Sequence, residues 1–351
     1  MTGQNPTTAQ ARQALAAYPL TATGLTRLDS GLINRTFSVQ SNIGEEFILQ
    51  AVNPMFTAET LADIGHITHY LQQAGLPTPQ LIRTRDGQLF TRQGQHLWRL
   101  YNRVAGETRQ TLHSPAAAES AGALLAGMHQ ALTRMDYTLQ FSRPGVHNTA
   151  RHIRHLHDSL DNCRTHPSQH LIRPLAQDIL HGYQALTTLP LVAPRLVHGD
   201  PKISNFIYQP GTDTALCMVD FDTFSYMPLY LEIGDALRSW CNPVGEDDAD
   251  GGFDRDLALA ALSGYAANSG EFILSAEWHH ILPATEQVYL ELAARFCADA
   301  LNEDYFGWDS TRFASHSEHS QVRARGQLSA AESLRRQSAS LQPLLEELFS
   351  S

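Results

Sequence analysis

The chain has 351 residues, 42% of them hydrophobic and 17% charged, and its net charge of −11 sets 36 acidic residues against 24 arginines and one lysine, Lys202. At about 150 residues per domain, that length suits two domains or lobes, able to bury about three quarters of the unfolded surface without staples. The composition excludes wholesale disorder; an acidic balance with no Lys/Arg block excludes nucleic acid as a main partner; four scattered cysteines, Cys163, Cys217, Cys241 and Cys297, exclude a zinc or disulfide framework; and no apolar run is long enough for a membrane span.

The first twenty residues lack a basic segment followed by an apolar one, so a cytoplasmic protein is expected; the expected assembly is a monomer or homodimer. Residues 36–39 and 46–52 are β-prone runs separated by hairpin punctuation at 41–44. Leu61, Ile64, Ile67 and Leu71 recur at spacings of three and four, which predicts a helix over 58–73, with Thr57 as N-cap and Gly75 just beyond its end. Strands are expected again at 81–84, 89–91 and 97–101, with a turn at 85–87. Past Gly106 the periodicity becomes helical, over 116–135, 149–162, 171–186, 232–242, 253–268, 278–301 and 320–348. One β-rich island interrupts it, from 195–200 through 215–220. This predicts an α+β, bilobal protein-kinase-like fold: a small antiparallel β lobe over 1–104 with one helix, and a larger, mainly helical lobe over 105–351.

Two strand–loop junctions in the island are dense in polar residues, and each apolar strand delivers a carboxylate at its end. His198, Asp200, Lys202 and Asn205 have the spacing of the kinase catalytic loop H-x-D-x-x-x-x-N. Phosphoryl transfer needs a carboxylate to take the acceptor hydroxyl's proton, oxygen ligands for Mg²⁺, and a cation near the migrating group. Asp200 is then the base, Lys202 the cation, Asn205 a metal ligand through its amide oxygen, and Asp220 the principal metal carboxylate, a hard oxygen set that suits Mg²⁺. Taken singly, His198-Gly199-Asp200 is a turn with Gly199 at an awkward φ, and the 220–222 cluster a cap or turn. Their conjunction, 15 residues apart in one island, carries the kinase reading.

On these motifs the chain resembles the aminoglycoside phosphotransferase and choline kinase superfamily, and within it most the N-acetylhexosamine 1-kinase type. The likeness runs nearly end to end: GLINRTF at 31–37, FILQAVN at 47–53, WRLY at 98–101, HNT at 147–149, HGDPKISN at 198–205, DFDT at 220–223, GDALR at 234–238, EDD at 246–248, RF at 295–296 with Asp299, and RAR at 323–325 with Gln327. The resemblance implies ATP-dependent phosphorylation (GTP being the other nucleotide) of a hydroxyl on a small molecule, a sugar or amino sugar, in a cleft between lobes. It puts Gly31, Asn34, Gln50 and Lys202 on the nucleotide, with Gly31 in the loop over the phosphates. A hairpin turn is an equal reading of that single glycine. Gln50 stands where many kinases carry a phosphate-binding lysine, so the usual Lys–Glu pair cannot form and Glu59 or Asp63 needs another use. The hexosamine-kinase type shares that glutamine.

Acceptor candidates are Asp222, Arg238, Arg295 and Tyr305. Asp235 and Arg238 at i and i+3 also read as a surface ion pair of small worth. Arg295, in an otherwise apolar helix, calls for a carboxylate or ligand oxygen if buried. Residues 224–228, Leu32 and the 299–308 stretch with Gly307 and Trp308 depart from the hexosamine-kinase pattern where the acceptor would lie. An aminoglycoside, choline or homoserine-type kinase therefore stays open, as does, from another class, a catalytically silent pseudokinase-like binding protein. His152, His155 and His157 read as a solvated helix face, and 246–250 as an exposed acidic loop.

Overall fold

The computed structural model describes residues 6–28, 34–141 and 146–350. They divide into two compact units, the first drawn from 1–105 with 135–142 and 219–224, the second from 106–134, 143–218 and 225–351. The fold is α+β, an antiparallel sheet in the first unit and mainly helices in the second.

The first unit runs α1 (Thr8–Leu15), β1 (Ala22–Leu28), β2 (Arg35–Ser41), β3 (Glu46–Ala51), α2 (Ala58–Gln73), β4 (Thr91–Gln93) and β5 (His96–Asn102). Its sheet has the order β1-β2-β3-β5-β4, every neighbour antiparallel. Alternation along the strands puts Phe37, Val39, Leu49, Trp98 and Leu100 in one core with Ala11, Ala14 and Tyr18 from the α1 region. Helix α1 and strand β1 were not foreseen, since neither has an apolar stripe strong enough to read. Helix α2 has the predicted bounds, with Leu61, Ile64, Ile67 and Leu71 all fully buried. The strand expected at 81–84 does not form. The outer edge of β5 is shared: residues 96–98 pair with β4, while Leu100 and Asn102 bond only Ile82 and Gln80 (2.8 and 3.2 Å), leaving a single bridge at Leu81.

The second unit contains β6 (Glu107–Thr108), α3 (Pro115–Thr133), α4 (Thr149–Asn162), α5 (Gln169–Gln184), β7 (Arg195–Val197), β8 (Phe206–Tyr208), β9 (Ala215–Met218), β10 (Ser225–Met227), α6 (Leu229–Trp240), α7 (Arg255–Ser269), α8 (Ser275–Trp278), α9 (Ile281–Asn302) and α10 (His316–Ser350). The island forms a β10-β7 pair and a β6-β8-β9 sheet. Helix α9 is buried along most of its length and packs on α4, α5, α6 and α10. Helices α3 and α7 cross closely enough that a Cβ on Gly122 would strike the Ala261 carbonyl oxygen and one on Gly264 that of Glu119. Helix α10 starts four residues earlier than its apolar pattern, because Ser315 Oγ accepts the Glu318 N–H (3.0 Å) and caps it. Among the described residues no helix is long and apolar enough to cross a membrane.

Candidate active site

In the second unit, β7 ends at Val197 and the chain turns through His198, fully buried, and Gly199 at φ +83°, a left-handed conformation that glycine alone takes freely. The turn is clamped by one face of α6. Both oxygens of Glu232, itself fully buried, accept the Gly199 N–H (3.2 and 3.1 Å). Ser239 Oγ accepts the Ile203 N–H (3.0 Å), and Trp240 Nε1 donates to the Pro201 carbonyl (2.9 Å). Residues 232, 239 and 240 lie at i, i+7 and i+8, two turns apart on the same face.

The loop so held gathers three of the predicted residues. Lys202 Nζ lies 2.8 Å from Asp200 Oδ2, and Asn205 Nδ2 donates to the Asp200 carbonyl (2.8 Å) and to Oδ2 (3.2 Å). With its nitrogen committed, Asn205 offers its amide oxygen as a ligand. Burial pushes the Asp200 carboxyl up, but the charge and hydrogen bond of Lys202, with lesser help from His198 and Arg238, hold it below the usual aspartate range. Asp200 is thus ionised at neutral pH, with a quarter of its side chain exposed.

In the first unit, Asp220 has φ +68° and ψ +56°, a left-handed conformation rare for a residue with a side chain, and opens a single 3₁₀ turn over Phe221–Thr223. Asp222, with 3% of its side chain exposed, takes both Arg99 terminal nitrogens, NH2 to Oδ2 at 2.7 Å and NH1 to Oδ1, and also the Asn34 Nδ2 (2.6 Å). Arg99 stands directly opposite Gln50 in the β3–β5 register, and its Nε and NH2 donate to Gln50 Oε1 (3.0 and 2.8 Å). Burial works against the Arg99 guanidinium and Asp222 overrides it, so Arg99 stays charged. Gln50 Nε2 donates to Thr36 Oγ1 (3.2 Å). Asn34 accepts the Asn53 N–H (2.9 Å); Gly31 and Leu32 lie outside the described residues. The carboxylates of α2 are spent elsewhere, as the glutamine implied: Asp63 accepts from Tyr137 Oη (2.7 Å) and from the Gln140 and Phe141 N–H groups (2.9 and 3.0 Å). Glu59, in the first turn, is lowered by a hydrogen bond with Thr57.

The remaining candidates lie in the second unit. Arg238 is buried, not a surface residue: Nε and NH2 bond Asp235 Oδ1 (3.0 and 2.7 Å) and NH1 bonds Glu246 (3.0 Å), because α6 presses this face into the interior. Arg295 is half-buried and covers the rings of Tyr305 and Phe306 (5.7 and 5.4 Å to the centroids). Asp299 fastens the next loop, its Oδ1 accepting the Tyr305 N–H (2.8 Å) and its Oδ2 facing His316 Nε2 (2.7 Å) and taking Ser320 Oγ (2.9 Å). Asp247 holds Arg323 (2.6 Å) and His319 (2.9 Å), so the acidic run is not simply exposed. Among the described residues, no three His, Cys, Asp or Glu side chains cluster to hold a metal by themselves.

Sequence reasoning named Asp200, Lys202, Asn205, Asp220 and Gln50 without their partners. Arg99 and Glu232 were missed. Their signal was a charged residue inside an apolar run, visible at position 99 in WRLY and at 232 in a helix otherwise buried.

Residues 24–267 match the model of the phosphotransferase enzyme family. Among solved structures, the chain is similar to an aminoglycoside phosphotransferase from Alicyclobacillus acidocaldarius subsp. acidocaldarius DSM 446 (17% identity, 97% of this chain and 98% of that one, TM-score 0.62). It is similar also to amicoumacin kinase hAmiN in complex with AMP-PNP, Ca²⁺ and Ami (14%, 93% and 93%, TM-score 0.62) and to a microcompartment-associated aminopropanol kinase (16%, 96% and 99%, TM-score 0.62). At these identities the likeness establishes the kinase-like fold.

Proposed function

The chain belongs to the phosphotransferase enzyme family, a family of small-molecule kinases, and from that premise we propose that it moves the γ-phosphoryl group of ATP, with Mg²⁺, to a hydroxyl of a sugar or amino sugar. The observation that carries the reading is the Asp200 loop, where an ammonium and an amide both reach Oδ2 and leave Oδ1 to take the acceptor's proton. Lys202 then serves the γ-phosphoryl oxygens as a point charge, and Asp220 and Asn205 supply carboxylate and amide oxygens to the metal. When bound, Mg²⁺ neutralises charge developing on the transferred group and completes its shell with phosphate oxygens and water. Gly31, Asn34 and Gln50 belong to the nucleotide side of this proposal, where GTP is the competing nucleotide.

For the acceptor, the carboxylates of the 235–247 stretch and Asp299 favour a neutral or weakly charged sugar over a polycation, because they are already matched by Arg238, Arg323, His319 and His316. Tyr305 and Trp308, 53% and 40% exposed, offer flat ring faces for such a ring, that of Tyr305 beneath Arg295. Asp200→Asn should leave the fold intact and lower kcat by about a hundredfold or more. Asp220→Ala should abolish Mg²⁺-dependent nucleotide binding in calorimetry. ATP consumption over a panel of sugars, amino alcohols and aminoglycosides identifies the acceptor; nucleotide binding with no consumption across the panel would instead favour a silent binding protein.

A further inference from the structure

We propose that Arg99 is a positioning residue that takes over, from the neighbouring strand, the anchoring performed in other kinases by the lysine absent at Gln50, and that it acts through Asp222 on the metal carboxylate Asp220. The inference rests on the functional reading above. Three observations within the first unit support it.

First, Gln50 and Arg99 are cross-strand partners, and Gln50 Oε1 accepts two of the guanidinium's hydrogen bonds, so the cation is displaced by one strand and tethered to the position it left. Second, Arg99 does not pair with α2, whose Asp63 is occupied by the 137–141 segment; it forks onto Asp222, two residues past Asp220. The planar fork serves two partners at once, which a lysine ammonium does less well. Third, Asp220 holds a left-handed backbone that a residue with a side chain keeps only where its surroundings impose it. Asp222, held by Arg99 and by Asn34, which is itself held by the Asn53 N–H, fixes the chain two residues beyond it. The ion pair that ordinarily ties a sheet strand to a helix here ties the sheet directly to the metal-binding turn.

Calorimetry of ADP binding, with and without Mg²⁺, tests this independently of turnover. The double variant R99Q/D222N removes both charges and leaves the net charge unchanged, so a change in metal dependence does not arise from overall charge. The Mg²⁺ concentration for half-maximal ADP binding should rise about tenfold, as for loss of an outer-shell partner of a metal ligand, a larger change than in metal-free ADP affinity, which reports the loosened Gln50 and Asn34. The swap Q50K/R99Q returns a cation to Asp222 from β3 and should restore the metal dependence. If the neutral pair does not fold, Arg99→Lys, which keeps the charge and loses the fork, should show the same loss in smaller degree. A folded R99Q/D222N or R99K protein with wild-type Mg²⁺ dependence, or a folded swap that recovers nothing, overturns the proposal. A wild-type protein without Mg²⁺-dependent nucleotide binding overturns the functional reading itself, and this one with it.

Discussion

Lys202 stands two residues beyond Asp200 with its ammonium 2.8 Å from the carboxylate and 37% of its side chain exposed, so it can serve the carboxylate and a phosphoryl oxygen together. A guanidinium there would be broader and would crowd the attacking oxygen. Lys202→Arg should therefore lower kcat about tenfold or more with little change in melting temperature, measured by steady-state kinetics and thermal melts. Lys202→Met tests the electrostatics. Burial alone would raise the Asp200 carboxyl, and the lysine reverses that. With Asp200 as the base, the acid limb of kcat/KM should lie below the ordinary aspartate value of about 3.9 in the wild type and move upward in the variant. An unmoved limb would remove Asp200 from the role of base. The place of this lysine was legible because the loop spacing is local. The role of Arg99 was not, since its partner Asp222 lies 123 residues away.

Helix α6 works as a clamp, with Glu232, Ser239 and Trp240 on one face holding the 199–203 backbone. Glu232→Ala strips the Gly199 N–H of both acceptors inside the protein, at a cost of about 1–3 kcal/mol, and should also lower kcat because the left-handed turn relaxes. Gly122→Ala is the contrasting variant. Its methyl group would meet backbone at the α3–α7 crossing, so it should cost about 1–3 kcal/mol as an overpacked site and leave kcat unchanged well below the melting temperature. Equal losses of kcat in both would argue that α6 contributes only stability. The bounds of α2 and α4 were readable because their apolar spacing and flanking residues lie within each helix. Strand 81–84 misled because β propensity says nothing about which edge is free, and the β5 edge was already shared.

Across the whole molecule, the pH range of stability should bear the mark of His147 and Glu291, a buried pair 3.1 Å apart. Burial pushes the imidazole down, and the hydrogen bond and charge of Glu291 outweigh it, so its pKa is raised. Burial pushes the carboxyl up, and His147 and Thr149 outweigh it, so its pKa is lowered. A raised imidazole stabilises fully below its unfolded value of about 6.5, and that gain is lost as pH rises through the folded value. A lowered carboxyl stabilises above about 4.3, and that gain is lost as pH falls through its folded value. The melting-temperature gap between wild type and His147→Gln should therefore be widest between those two values and shrink toward pH 9; a gap that widens with pH would show the histidine to be neutral in the fold. By itself the sequence determined the α+β class, the break in texture near residue 105, and the loop carrying Asp200, Lys202 and Asn205, because periodicity and turn chemistry are written within a few residues. Only the tertiary structure decided that Gln50 faces Arg99, that Arg99 reaches Asp222, and that Arg238 is buried, because strand register and burial are set by contacts between distant segments that no local pattern encodes.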